Sequence, residues 1–330
     1  MNARPAVLVA RAVFADVVER LREHFDVEAN PADTICSKAQ LAERLHGKAG
    51  AFITASEPID AELLDANPQL RALCTMAVGY NNIDLGACSA RGVLVTNTPD
   101  VLTETTADFA FALMMAAARR ITESERFLRA GQWRKWSYDM LIGSDIHGAS
   151  LGILGMGRIG QAIARRGALG FGMKVLYHNR SRLALELEAP LGARWVDKDE
   201  LLREADHLVI VVPYSAASHH LVGAAELALM KPTATLTNIA RGGVVDDAAL
   251  AAALRERRIA AAALDVFEGE PRVHPDLLAA PTAVLTPHIA SATIATRRAM
   301  ANLAADNLIA ALTGGVPPTP LNPQVLAKRG

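Results

Sequence analysis

The sequence predicts an α/β fold of parallel sheets with helices on both faces, divided into two domains. Three observations carry that expectation. Short apolar strands alternate with helix-periodic segments along most of the chain, the pattern of successive parallel βα units. The stretch Leu151-Gly152-Ile153-Leu154-Gly155-Met156-Gly157-Arg158-Ile159-Gly160 reads as a buried strand, a glycine turn and the first turn of a helix. The length, 330 residues, suggests two domains.

The first series places strands over 7–9, 51–54, 73–76 and 93–95, with helices over 14–24, 60–66 and 85–90. It holds no phosphate-type glycine loop, so a dinucleotide is not expected there. Ala77-Val78-Gly79-Tyr80 follows a strand end, and ligands of open α/β sheets bind beyond the carboxyl ends of strands. The backbone N–H groups of Val78 and Gly79 are therefore candidates to hold a carboxylate, although an ordinary strand-to-loop glycine has the same pattern. Asn97-Thr98-Pro99 breaks the series. A long helix over 103–120 follows, then an irregular segment over 122–147 that carries Trp133, Trp136 and Tyr138.

The second series starts at the glycine turn. A helix over 161–169 and strands over 173–178, 207–212, 234–239, 261–265 and 283–286 continue it. A final helix over 292–312 precedes a Pro-rich tail over 316–320.

Composition narrows the function. Basic and acidic residues nearly balance, 34 against 35, which argues against a nucleic-acid or membrane-surface binder. No run of about 18 apolar residues reads as a membrane span, and no signal-peptide pattern opens the chain. Cys36, Cys74 and Cys88 show no paired spacing, which suits a reducing cytoplasm. No His/Cys/Asp/Glu group has metal-ligand spacing, so no metal is expected. His207, His219 and His220 read as surface or structural residues.

Gly155, Gly157 and Gly160 give the G-x-G-x-x-G spacing of a dinucleotide site. The first permits the tight turn, the second lets backbone approach a pyrophosphate, and the third lets helix pack on strand. The helix N-terminus then presents free N–H groups and the positive end of its dipole. The residues after the next strand bear on the choice of cofactor. An NAD site usually has Asp or Glu there for the ribose 2′-OH. This chain has His178-Asn179-Arg180-Ser181-Arg182. Arg180, and less directly Arg182, can pair with a 2′-phosphate, with Asn179 and Ser181 beside them. NADPH is expected over NADH, the alternative being a solvated basic turn.

Three further stretches stand in order behind the glycine turn. They are Asn238-Ile239-Ala240-Arg241-Gly242-Gly243-Val244-Val245-Asp246, Leu264-Asp265-Val266-Phe267-Glu268-Gly269-Glu270-Pro271 and Pro287-His288-Ile289-Ala290-Ser291. With the glycine turn, they resemble the D-isomer-specific 2-hydroxyacid dehydrogenase family over nearly the whole chain. Val101-Leu102-Thr103-Glu104-Thr105-Thr106-Ala107 and Gly170-Phe171-Gly172-Met173 bring the chain nearest to the bacterial glyoxylate/hydroxypyruvate and 2-ketogluconate reductases of that family. The resemblance implies two Rossmann-like, doubly wound domains. The cofactor domain, 101–292, would be inserted into a substrate-binding domain made of 1–100 and 293–330, with the active site in the cleft. It also implies a catalytic trio of Arg241, Glu270 and His288, and cofactor contacts from Thr106, Arg158, Ile159, Ile239, Ala240 and Ser291. Asp265 would contact the nicotinamide end or support Arg241.

The chemistry suits the residue types. Reduction of a 2-oxo acid needs a hydride, a proton donor for the carbonyl oxygen and a cation for the carboxylate. The fork of Arg241 can bind a carboxylate with two hydrogen bonds and polarise the adjacent carbonyl. A histidine at 288 can give and take the proton near neutral pH, and Glu270 can hold its imidazole. The expected substrates are small 2-oxo acids. The rivals are an NAD-linked dehydrogenase of another D-2-hydroxy acid, such as phosphoglycerate, and a non-catalytic dehydrogenase-like corepressor or scaffold. In related enzymes the region over 122–147 embraces a second subunit, so a homodimer is expected with Trp133 or Trp136 in its interface. Trp136 is the better candidate to limit substrate size.

Overall fold

The computed structural model describes residues 4–328. The chain divides into two compact units, one of Met1–Leu102 with Thr293–Gly330 and one of Thr103–Ala292.

The first unit begins with β1 (Ala6–Val9), α1 (Ala15–Arg22), β2 (Asp26–Ala29), α2 (Lys38–Leu45) and β3 (Gly50–Ile53). It continues with α3 (Ala61–Asp65), β4 (Ala72–Thr75), α4 (Leu85–Ala90) and β5 (Leu94–Thr96). The five strands are all parallel in the order β2-β1-β3-β4-β5. The order reverses between β1 and β3, the mark of a doubly wound sheet. β3 and β4 are buried on both faces, which is why they read as continuous apolar runs. β2 escaped the sequence reading: Asp-Val-Glu-Ala is an edge strand with no fully buried residue, and its polar side chains hide the periodicity. α2 was missed as well. Its start is set by a capping box in which Ser37 accepts from the Gln40 amide and the Gln40 side chain accepts from the Ser37 amide.

The returning helix, Ile294–Thr313, completes this unit. Its Ala301, Ala304, Ala305 and Leu308 share one core with Val7, Val9, Phe52 and Cys74. Gly50 makes the approach close: a Cβ there would stand 2.9 Å from Leu312 Cδ1. The tail then seals β5. Buried Asn322 accepts from the Val95 amide at 2.8 Å and donates to the Val93 carbonyl at 2.9 Å.

The second unit opens with α5 (Thr103–Ala118), α6 (Ile121–Arg129), β6 (Ser150–Leu154), α7 (Arg158–Arg165) and β7 (Lys174–His178). Next come α8 (Leu185–Glu188), β8 (Arg194–Trp195), α9 (Lys198–Glu204), β9 (His207–Ile210) and α10 (Ala224–Leu229). β10 (Thr235–Asn238), α11 (Asp247–Arg255), β11 (Ala261–Leu264), α12 (Pro275–Ala279) and β12 (Ala283–Leu285) close it, and the returning helix is α13. Seven parallel strands run β12-β11-β10-β9-β6-β7-β8. The order reverses at β6 and β9, and the glycine turn leaves β6 at that point.

Two expectations need correction. The segment over 122–147 is not wholly irregular, because its first part is α6. Ion pairs one turn apart, Arg120 with Glu123 and Arg129 with Glu125, support that helix, and none of its residues is fully buried. The helix over 161–169 instead starts at Arg158, and a π-helical turn replaces it from Arg166 to Gly170.

Candidate active site

The glycine turn has the geometry its spacing predicts. Gly155 has φ +104, a left-handed value that side chains resist, and a Cβ on it would lie 2.8 Å from the Val212 amide nitrogen. A Cβ on Gly160 would lie 2.4 Å from the Gly155 carbonyl oxygen, so only glycine lets α7 close on the turn. At Gly157 a Cβ would meet nothing within 4 Å. Here the missing side chain leaves open space against the backbone, which is what a pyrophosphate needs. No side chain caps the N-terminus of α7, so its first N–H groups can face an anion. These features fit a dinucleotide. Arg158 and Gly157 are exposed, Ile159 is half-buried, and Thr106 lies buried on α5.

The loop after β7 is tied to the glycine turn. Asn179 Oδ1 accepts from the Met156 amide at 2.7 Å, and Trp195 Nε1 donates to the Asn179 carbonyl at 3.1 Å. Arg180 and Ser181 are exposed. Arg182 is different. Its guanidinium grips the buried Glu188 carboxylate with Nε and Nη2, at 2.9 and 2.7 Å. Tyr177 Oη donates to the same carboxylate. The Arg182 hydrogen bond, then that of Tyr177, holds the Glu188 carboxyl below its ordinary range. Arg182 is thus engaged by a buried carboxylate within its own loop.

Arg241, Glu270 and His288 leave the carboxyl ends of three neighbouring strands, β10, β11 and β12. The sheet order thus gathers residues that are far apart in sequence. Arg241 is half-buried, and Ile239 and Ala240 before it are buried. Burial pushes the Arg241 guanidinium down from its ordinary range, and the charge of Glu270 opposes that shift. Buried Asn238 shapes the turn: its Oδ1 accepts from the Ala240 amide at 3.0 Å and its Nδ2 donates to the Arg241 carbonyl at 3.2 Å. Sequence reasoning quoted Asn238 without giving it a role. The signal was an Asn at a strand end, where its side chain satisfies local backbone groups.

His288 Nδ1 lies 2.9 Å from Glu270 Oε2. An ionised carboxylate only accepts, so the imidazole donates through Nδ1 and leaves Nε2 for another partner. Glu270 is placed in turn by the Phe267 amide, which donates to Oε1 at 2.9 Å, and the Glu270–Pro271 peptide is cis. Burial alone would raise the Glu270 carboxyl. The hydrogen bond and charge of His288, with smaller help from Phe267 and Arg241, outweigh burial and hold it below the ordinary carboxylate range.

Asp265 is fully buried at the end of β11. Its Oδ1 accepts from Thr286 Oγ1 at 2.7 Å and from the Ile289 amide at 2.8 Å, and its Oδ2 accepts from the Ala290 amide at 2.8 Å. These bonds make Asp265 a clamp on the loop that carries His288. That loop needs one. His288 has φ 54, a left-handed conformation that costs a non-glycine residue about 1–3 kcal/mol. Burial raises the Asp265 carboxyl, against the lowering effect of its hydrogen bonds. Ser291 is half-buried just beyond the clamp.

Val78 and Gly79 belong to the first unit. The Val78 carbonyl accepts from Asn97 Nδ2 at 2.8 Å. Among the described residues, no acceptor takes the Val78 or Gly79 amide.

Of the other histidines, His207 is structural. It is fully buried, with Nδ1 2.9 Å from Thr235 Oγ1 and Nε2 2.9 Å from the Asp145 carbonyl. His219 and His220 are stacked, with ring centroids 3.9 Å apart. Folding brings Glu268 to them, a grouping that sequence spacing hides. No helix among the described residues is long and apolar enough to cross a membrane.

A glycine-turn dinucleotide fold with an arginine, a glutamate and the histidine it holds on three successive strand ends of the sheet defines a nicotinamide-type oxidoreductase. Residues 111–290 match the domain described as "D-isomer specific 2-hydroxyacid dehydrogenase, NAD binding domain". The chain belongs to the D-isomer-specific 2-hydroxyacid dehydrogenase family. It is 48% identical over 330 residues to a glyoxylate reductase of Thermococcus onnurineus, covering 99% of this chain and 98% of that one. The structure of a glyoxylate reductase from Paecilomyes thermophila has a TM-score of 0.88 and 34% identity, covering 98% of this chain and 100% of that one. An NADPH-dependent glyoxylate/hydroxypyruvate reductase from Sinorhizobium meliloti, in complex with NADP and malonate, has a TM-score of 0.85 and 36% identity, covering 97% of each chain.

Proposed function

We propose that this protein is an NADPH-preferring reductase of small 2-oxo acids of the glyoxylate, hydroxypyruvate and 2-ketogluconate class, producing D-2-hydroxy acids. The observation that carries the reading is the 2.9 Å contact between Glu270 and His288, with Arg241 on the neighbouring strand end. The bound nicotinamide cofactor supplies the hydride. Arg241 binds the substrate carboxylate and polarises the carbonyl beside it. His288 Nε2 gives its proton to the carbonyl oxygen, and Glu270 at Nδ1 fixes the ring and stabilises the charged imidazole before transfer. Val78 and Gly79 offer two amides suited to a carboxylate.

The unit of 103–292 is the cofactor domain in this reading, and the unit of 1–102 with 293–330 binds substrate. Thr106, Gly155, Gly157, Arg158, Ile159, Gly160, Ile239, Ala240 and Ser291 face the dinucleotide. Asn179, Arg180 and Ser181 receive the 2′-phosphate. Arg180 has no side-chain partner among the described residues, which leaves it free for that phosphate. The relative of known NADP complex, quoted above, supports this choice.

The protein acts as a homodimer. Trp133, Trp136, Tyr138 and Ile142 are exposed, Trp136 by 75%, and a second subunit is the natural cover for so much apolar surface.

The test is cofactor oxidation with a panel of glyoxylate, hydroxypyruvate and 2-ketogluconate, each with NADPH and NADH. Turnover of at least one acid with higher kcat/KM for NADPH is expected. No turnover of any of them overturns the substrate class, and equal kcat/KM overturns the cofactor preference.

A further inference from the structure

We propose that His219, His220 and Glu268 form a binding site for a transition-metal dication of the zinc type. One donor atom from each residue lies within 4.8 Å of the donors of the other two. The two histidines sit between β9 and α10, and Glu268 comes from the turn after β11. All three belong to the second unit.

The hydrogen bonding around the rings sets the donors. His219 Nδ1 lies 3.2 Å from Tyr214 Oη. His220 Nδ1 lies 3.7 Å from Asp246 Oδ2. Each ring therefore has an oxygen neighbour at Nδ1, which leaves Nε2 as the metal donor. A metal-bound histidine ordinarily has such an oxygen partner on its second nitrogen, where it fixes the tautomer and the ring orientation. His220 Nε2 is already 3.0 Å from Glu268 Oε2. The metal takes the place of the proton between them.

The backbone beneath the donors is fixed. The His220 amide donates to the Gly243 carbonyl at 2.7 Å, and the Glu268 amide donates to Asp247 Oδ2 at 3.0 Å. Tetrahedral zinc at about 2.0–2.1 Å from its ligands needs them roughly 3.4 Å apart. The exposed side chains of His219 and Glu268 can close that gap by rotation alone. Two imidazoles and one carboxylate suit zinc, nickel, cobalt or copper, and not magnesium or calcium, which prefer all-oxygen sites. The fourth position stays open to water. A bound ion joins the 219–220 segment to Glu268, two residues from Glu270.

The experiment uses the full chain without an affinity tag, stripped with a chelator. Calorimetric titration with zinc should show one ion per chain. Titration with cobalt should give the visible absorption of a four-coordinate ion. His219→Ala and Glu268→Gln should each weaken zinc binding by at least about tenfold, and Tyr214→Phe by roughly tenfold through the lost partner at Nδ1. Circular dichroism confirms that each variant is folded. Absence of stoichiometric binding to the wild type overturns the site and leaves His220 and Glu268 as a simple hydrogen-bonded pair. Unchanged affinity in folded His219→Ala overturns it equally.

Discussion

Gly242 sits against Phe267 so closely that a Cβ on it would stand 1.7 Å from the Phe267 carbonyl oxygen and 2.7 Å from the Glu268 amide nitrogen. The turn carrying Arg241 and the turn carrying Glu270 are thus in backbone contact. Both neighbours are main-chain atoms, so no rotamer change can make room. Gly242→Ala should force the two turns apart. Overpacking of this kind costs about 1–3 kcal/mol or more. A lower melting temperature together with a loss of kcat/KM is expected, read by thermal unfolding and steady-state kinetics. Wild-type activity in this variant would show that the contact does not set the spacing of the two turns.

His288→Ala should lower kcat by roughly 10²–10⁴-fold, the usual contribution of a general acid or base. Binding of NADPH, measured by fluorescence titration, should stay nearly intact. Arg241→Ala should raise KM and lower kcat together. Near-wild-type turnover in either variant contradicts the assigned roles.

Glu270 gives a pH signature. Its carboxyl is held below the ordinary carboxylate range, with the effects of His288 outweighing burial. A depressed folded-state value stabilises the protein above the unfolded value, about 4.3. That contribution is lost as pH falls through the lower folded value. Urea unfolding of wild type and Glu270→Gln should differ most near about pH 5–6, where the carboxylate is ionised and an ordinary imidazole is charged, and converge in more acid solution. A gap that stays constant down to the acid limit would refute the linkage.

Arg180 and Arg182 should separate cleanly. Arg180→Ala should cost about tenfold in kcat/KM with NADPH, the worth of a charged hydrogen bond of roughly 1.5 kcal/mol, with little change for NADH. Arg182→Ala should chiefly lower the melting temperature, because it strips buried Glu188 of its guanidinium partner. If Arg182→Ala and not Arg180→Ala loses the NADPH preference, the roles are reversed.

Trp136→Ala should shift sedimentation from dimer toward monomer, since truncating an interface tryptophan often costs more than about 2 kcal/mol. The substrate-panel profile should broaden at the same time. A wild type that sediments as a monomer removes the dimer.

The parts of the fold legible in the sequence are those where one residue type has a single physical solution. Gly155 and Gly160 could be placed because φ and close packing leave no other choice. Buried strands such as β3 and β10 could be placed because both faces demand apolar or small side chains. Edge elements were lost for the opposite reason. β2 and β8 bury too little for their periodicity to stand out, and α6 is held by surface ion pairs. At the site, Arg241, Glu270 and His288 stood out through their motifs. The clamp role of Asp265 did not, because it depends on amides that arrive from a loop more than twenty residues later. The link between Glu268 and the two histidines depends on loop closure over 48 residues in the same way.

The chain path through the first unit also orders its birth. Residues 103–292 are contiguous, and everything their sheet needs is present once α12 and β12 have left the ribosome. The first unit has no such moment early in synthesis. Strands β3 and β4 bury one face against α13, and β5 waits for Asn322 to occupy its edge. A nascent chain stalled before residue 293 therefore carries a complete second unit and a first unit with an apolar sheet face still open to water. Domains generally fold as they emerge, and here the last to close is the one translated first. Only the addition of α13 covers that apolar sheet face.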